Sequence, residues 1–139
     1  MSEGERDIQL SVRKSNTNIG KSSPSPSTRG ALKKELAQLN NQVSQEMYGI
    51  GVKKQKVEIM GDKIVIFTEQ KRIPALAILD GKYDELTLSV DAALVREFKE
   101  RLKSHVEMQF GLTVRSILKD YDPETEVACI VILLDRPLM

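Results

Sequence analysis

Two sets of charged side chains are spaced closely enough to act together. Asp120, Asp122, Glu124 and Glu126 stand at alternate positions, and carboxylates in such a series can ligate Ca2+ or Mg2+. Pro123 and the missing glycine at the sixth position depart from an EF-hand loop, and no helix is expected on either side. The plain structural reading of this set is a turn with solvated carboxylates. Lys53, Lys54, Lys56, Lys71 and Arg72 form the second set. Antiparallel pairing of the strands they flank would bring 53–56 beside 71–72 at the open end of a hairpin. That would make a local anion site for phosphate, a nucleotide or an acidic partner. The plain reading is a solvated charged edge that also guards a strand against aggregation. No aromatic residue interleaves with these cations, so nucleic-acid bases have no stacking platform and nucleic acid is not an expected partner.

Groups for covalent or metal chemistry are scarce. His105 is the only histidine and Cys129 the only cysteine, so one chain cannot assemble an ordinary zinc site or a disulfide framework. His105 follows helical spacing beside Val106 and reads as a helix-surface residue. Cys129 stands in an apolar run and reads as a small buried hydrophobe, with a thiol made inert by burial. Gly49-Ile50-Gly51-Val52 ends a helix rather than following a strand, which is the wrong context for a phosphate loop, and no GxxxxGK[ST] occurs. An enzyme would have to work with Asp, Glu, Lys and Tyr alone, Asp120, Tyr121 and Asp122 being one such set. The expectation is a non-enzymatic protein that needs no cofactor.

Composition bounds the frame. The chain has 139 residues, 40% apolar and 29% charged, which suits one soluble domain. Its 21 basic and 20 acidic residues give a net charge of +1, so no global field points at nucleic acid or an anionic membrane. The N-terminal residues lack the apolar centre of a secretory signal. The longest apolar run, Val127–Leu134, has eight residues, whereas a membrane-spanning helix needs about 20. The expected location is cytoplasmic, with any membrane association made through a partner.

The elements follow from periodicity. Residues 1–30 are poor in large apolar groups and rich in Ser, Asn, Pro and Gly, which predicts a disordered tail. Ser23-Pro24 and Ser25-Pro26 lie within it. A single domain is expected over 31–139. Leu32, Leu36, Leu39, Val43 and Met47 form one stripe and predict a helix over 31–48. Thr28 or Ser27 would cap its start, and Gly49 and Gly51 lie at its end. Lys56–Met60 and Lys63–Thr68 read as a hairpin around Gly61-Asp62. Pro74 favours a short helix over 74–79, followed by a loop, against a rival strand hairpin in 74–90. Val90, Leu94, Phe98, Leu102 and Val106, widened by Ala93, predict a long helix from about Ser89 to Gln109. Leu112–Tyr121 and Glu126–Leu134 form a second hairpin around Pro123. The sum is an α+β fold: helix, hairpin, short helix, long helix, hairpin, with a four-stranded and mainly antiparallel sheet packed against helices. The strands at 64–67 and 127–134 are apolar on both faces. Helices on one face leave the other open, so a homo-oligomer, most simply a dimer, is expected to cover it.

Several stretches together resemble the MpsC-like family: the helix ending in GIGV, the hairpin KVEIMGDKIVIF, QKRIPAL, VDAALVREFKERLKSHVE and FGLTVRSILKDYDPETEVACIVIL. The resemblance spans about residues 32–135. Many relatives carry Gly-x-Gly-Pro after the first helix and Leu-Thr-Pro-Ala-Glu after the second strand; here Val52 replaces the proline, and the second segment reads Arg72-Ile73-Pro74-Ala75-Leu76. The family takes its name from an accessory component of a sodium-translocating, membrane-potential-generating system. The resemblance therefore implies a small accessory or regulatory protein whose partners are membrane transport subunits, and a helical 74–79. It supplies no catalytic residues. A sensor of anions or nucleotides at the basic hairpin edge is the alternative role.

Overall fold

The computed structural model describes residues 28–138. The expectations for a tail, including the Ser-Pro pairs, lie outside the described residues apart from 28–30. Helix α1 runs from Arg29 to Tyr48. The Thr28 hydroxyl accepts a hydrogen bond from the Ala31 N–H at 2.9 Å, satisfying one of the donors a helix start leaves open. Gly49 ends the helix at φ 72° and sends its N–H to the Gln45 carbonyl, a left-handed cap that costs glycine nothing. Gly51 serves differently. A Cβ there would collide with the Asn41 carboxamide, whose oxygen accepts from the Val52 N–H at 2.9 Å.

Strands β1 (Lys53–Met60) and β2 (Lys63–Glu69) pair around Gly61-Asp62, with Gly61 at φ 61°. β1 starts earlier than periodicity suggested because the register shifts between Lys53 and Lys56, where Lys54 takes φ 45°. Helix α2 (Pro74–Leu79) has its proline in the first turn, as its fixed φ favours. Helix α3 runs from Asp84 to Phe110 and ends at Gly111, φ 66°. It begins well before Ser89. Asp84 and Glu85 occupy its first turn, where negative charge favours the helix dipole. Leu86 and Leu88 do not mark a strand; both are exposed, and Thr87 between them is buried. Ala93, expected to widen the apolar stripe, is also exposed. Strands β3 (Val114–Asp122) and β4 (Val127–Leu134) close the domain. Their turn is held by the Glu126 N–H, which donates to the Asp122 carbonyl at 2.7 Å.

The sheet order is β1-β2-β4-β3, antiparallel throughout. Alternation along each strand sends one set of side chains toward the helices. Val57, Ile59, Ile64, Ile66, Ile117, Ile130, Ile132 and Leu134 form that layer and pack with Leu36, Leu39, Val43, Phe98, Leu102 and Val106. Burying each large side chain contributes roughly 1.5–3 kcal/mol. The opposite face has no described helix packed on it. Its register rows read Lys56–Phe67–Cys129–Asp120 and Glu58–Val65–Val131–Leu118. Phe67 and Leu118 are about half exposed on it, and Met60 and Val127 likewise.

Candidate functional site

The residues that converge do so at the end of the sheet, where β3, the first half of α3 and the connection after β2 enclose a cavity of about 360 Å3. Arg72 organises one wall. Its side chain is buried, yet its Nε and Nη2 each donate to an Asp80 oxygen at 2.9 Å. Nη1 and Nη2 also donate to Asp91 at 2.7 and 3.1 Å. This fork-to-carboxylate geometry is available to arginine and not to lysine. The hydrogen bonds it donates to Asp80 and Asp91 hold Arg72 above its ordinary pKa, and the one Asp80 accepts from Arg72 holds Asp80 below its own. The arrangement ties the cap of α2 to the first half of α3.

The connection is also tied to the second hairpin. The Arg72 N–H donates to Glu126 Oε2 at 2.6 Å, the Gln70 N–H to the Glu126 carbonyl at 2.8 Å, and the Tyr121 hydroxyl to the Gln70 carbonyl at 2.9 Å. Burial, reinforced by the charge of Glu126, pushes Tyr121 up to about 12. Burial, with Asp91 nearby, does the same to Tyr48.

Lys119 forms the floor. Its Nζ lies 3.3 Å from the centroid of the Phe98 ring and 5.9 Å from that of Tyr48, and these two rings stack at 6.3 Å and 11°. Among the described residues this ammonium has no hydrogen bond or ion pair. The ring faces offer cation–π attraction, but they replace little of the lost water. Burial pushes Lys119 down to about 7. An amine so placed can hold or release a proton near neutrality, and its charged form lacks a counter-ion among the described residues.

The structure distributes the sequence-derived candidates as follows. Lys53 pairs in register with Glu69, Lys54 lies 3.9 Å from Glu69 and Lys56 3.7 Å from Glu58, and Lys71 is exposed on the connection. The open end of the hairpin therefore sets Lys53 and Lys54 beside Glu69, while the connection carrying Lys71 and Arg72 runs to the second hairpin and the Arg72 guanidinium goes to Asp80 and Asp91. In the acidic set, Asp120 accepts from the Tyr121 N–H, Asp122 from the Glu124 N–H and Glu126 from the Arg72 N–H. Among the described residues no group of three or more His, Cys, Asp or Glu side chains is arranged to hold a metal ion. His105 Nε2 lies 3.3 Å from Glu46 Oε1, on the seam between α1 and α3. Cys129 is half-buried on the open sheet face rather than in the core, and burial with the charge of Asp120 raises its thiol. Lys119 escaped sequence reading. Its signal is parity: Ile117, Lys119 and Tyr121 alternate on the helix-facing side of β3, so a lysine occupies a core-facing position.

Fold and site together define a two-layer α+β domain with an open sheet face and a lysine-floored cavity. A model of the family described as Na+-translocating membrane potential-generating system (MpsC) matches residues 28–136, and the chain belongs to the MpsC family. No curated protein and no solved structure matches it. Among the described residues, no helix is long and apolar enough to cross a membrane.

Proposed function

We propose that this chain is a non-enzymatic accessory module of a Na+-translocating membrane system, held at the inner face of the membrane by a protein partner and working as a homodimer. Membership of the MpsC family supports the association with such a system. The open sheet face carries the protein-binding part. It presents exposed Met60, Phe67, Leu118 and Val127 around half-buried Val131 without a covering described helix, and an exposed apolar surface of this kind marks an interaction site.

The occupant is a second copy of the chain, because the row from Lys56 to Asp120 is self-complementary. Basic Lys56 lies on the β1 edge and acidic Asp120 on the β3 edge of the same row, with Phe67 and Cys129 between them. A two-fold axis parallel to the strands stacks each β1 on the other copy's β3. Lys56 then meets Asp120 of the second copy on both sides, and apolar residues meet in the middle, as an isologous interface requires. The accessory role is tested by deleting the gene and following Na+ efflux and membrane potential. Reduced efflux, restored by the wild-type chain but not by an interface variant such as Leu118→Asp, is expected. Unchanged Na+ handling in the deletion contradicts the reading. The second role, ligand sensing, is favoured by the Lys119 cavity rather than by the basic hairpin edge.

A further inference from the structure

We propose that the Lys119 cavity binds a small organic monocarboxylate, whose acid group pairs with the Lys119 ammonium and whose apolar body lies against Leu88, Ala92 and Val95. Three observations carry this. The first is a cation without a counter-ion: among the described residues, Lys119 Nζ lies over the rings of Phe98 and Tyr48 and has no hydrogen bond or ion pair. The second is the cavity above it, about 360 Å3 and lined by Ile73, Leu88, Leu94 and Val95 as well as polar groups, a volume in the usual range for small-ligand sites. The third is an apolar mouth. Leu88 is 72% exposed and Ala92 is exposed, so an apolar ligand would remove surface from water that the fold leaves wet.

The charge arrangement selects a monoanion. Arg72 is already committed to Asp80 and Asp91, Lys71 stands exposed at the rim, and Asp120 also lines the cavity. The one buried ammonium of the lining, Lys119, with the Asp91 carboxylate on the same wall and Lys71 only at the exposed rim, suits a single negative charge and disfavours a phosphate dianion or a nucleotide. An ion pair formed where water is scarce is stronger than one at the surface, and a neutral amide of the same shape cannot form it. Binding also draws the amine to its protonated form. This places sensing at a cavity rather than at the basic edge, and it does not depend on the accessory role.

The test is calorimetric titration of the full chain with hexanoate, 4-phenylbutyrate, hexanamide and inorganic phosphate. Saturable binding of at least one acid is expected, with hexanoate at least about tenfold tighter than hexanamide. Repeating the titration at pH 8 in two buffers of different ionisation enthalpy should show proton uptake. Lys119→Met, checked for native circular dichroism, should abolish both the preference for acid and the proton uptake. Leu88→Trp at the exposed mouth should weaken binding of the acid while leaving the fold intact. Equal affinity for hexanoate and hexanamide overturns the proposal. So do acid binding unchanged in Lys119→Met, phosphate binding tighter than either acid, and no saturable binding of any probe.

Discussion

The Lys119 ammonium lies 3.3 Å from the centroid of the Phe98 ring, on the helix-facing side of a strand whose neighbours on that side are Ile117 and Tyr121. A cation in this layer is unusual because removing its water opposes the charge. The site follows from that conflict: the cavity gives the amine its partial route to solvent, and the paired rings lie against it in place of a counter-ion among the described residues.

Lys119 should titrate near pH 7, far below its ordinary 10.5, as followed by NMR of the labelled lysine side chain. A folded pKa below the unfolded one means that the unfolded chain binds more protons between these values. Stability therefore rises with pH from about 7 to 10.5 and is lowest below 7. Lys119→Met should raise stability below pH 7 by about 2 kcal/mol, allowing for partial solvent access, and should flatten the pH dependence. Denaturant unfolding at pH 6 and pH 10 measures both.

Arg72→Met should destabilise the domain by about 2 kcal/mol, because it leaves Asp80 and Asp91 facing each other without their shared cation. Arg72→Lys should recover only part of the loss, since one ammonium cannot reproduce two bidentate contacts. The wild-type contribution of Asp80 is present above its unfolded value of 3.8 and fades as pH falls below that value, because its folded pKa is lower still. Urea midpoints at pH 7 and pH 3 show whether the difference between wild type and Arg72→Met narrows in acid.

Lys54→Gly should stabilise by roughly 0.5–1 kcal/mol. The residue sits at φ 45° in the irregular start of β1, a conformation that burdens a side chain but not glycine. Its ion pair with Glu69 spans 3.9 Å with a well exposed lysine, so little is lost with it. Thermal unfolding of the variant checks the sign.

Much of this fold was legible. The spacing of Leu32, Leu36, Leu39 and Val43 could serve only a helix with one buried side, and Pro74 marked the first turn of α2. The start of α3 was hidden because Leu86 and Leu88 imitate strand alternation while standing exposed, Leu88 at the edge of the cavity. The site was less legible. Arg72, Asp80 and Asp91 come together only when α2 folds back onto α3, and nothing local distinguishes Arg72 from the lysines around it. Lys119 had a local signal in the parity of β3, but a lysine between Leu118 and Asp120 reads as one more solvated charge until the strand's facing is known.

Charge reversal should report the pairing of two copies. Lys56→Asp and Asp120→Lys should each weaken the dimer by at least about tenfold in dissociation constant, and the double variant should recover most of the loss. Sedimentation equilibrium of the four proteins measures this. In the same arrangement Leu118 lies opposite Glu58 of the second copy, so Leu118→Lys should preserve association where Leu118→Asp abolishes it.

The most direct test of the central claim, that a second copy covers the open sheet face, is size-exclusion chromatography with light scattering at micromolar concentration. A particle of twice the 15.6 kDa chain mass is expected, and a folded monomer for Leu118→Asp. A wild-type chain that elutes as a clean monomer, or a Leu118→Asp variant that stays dimeric, would contradict it.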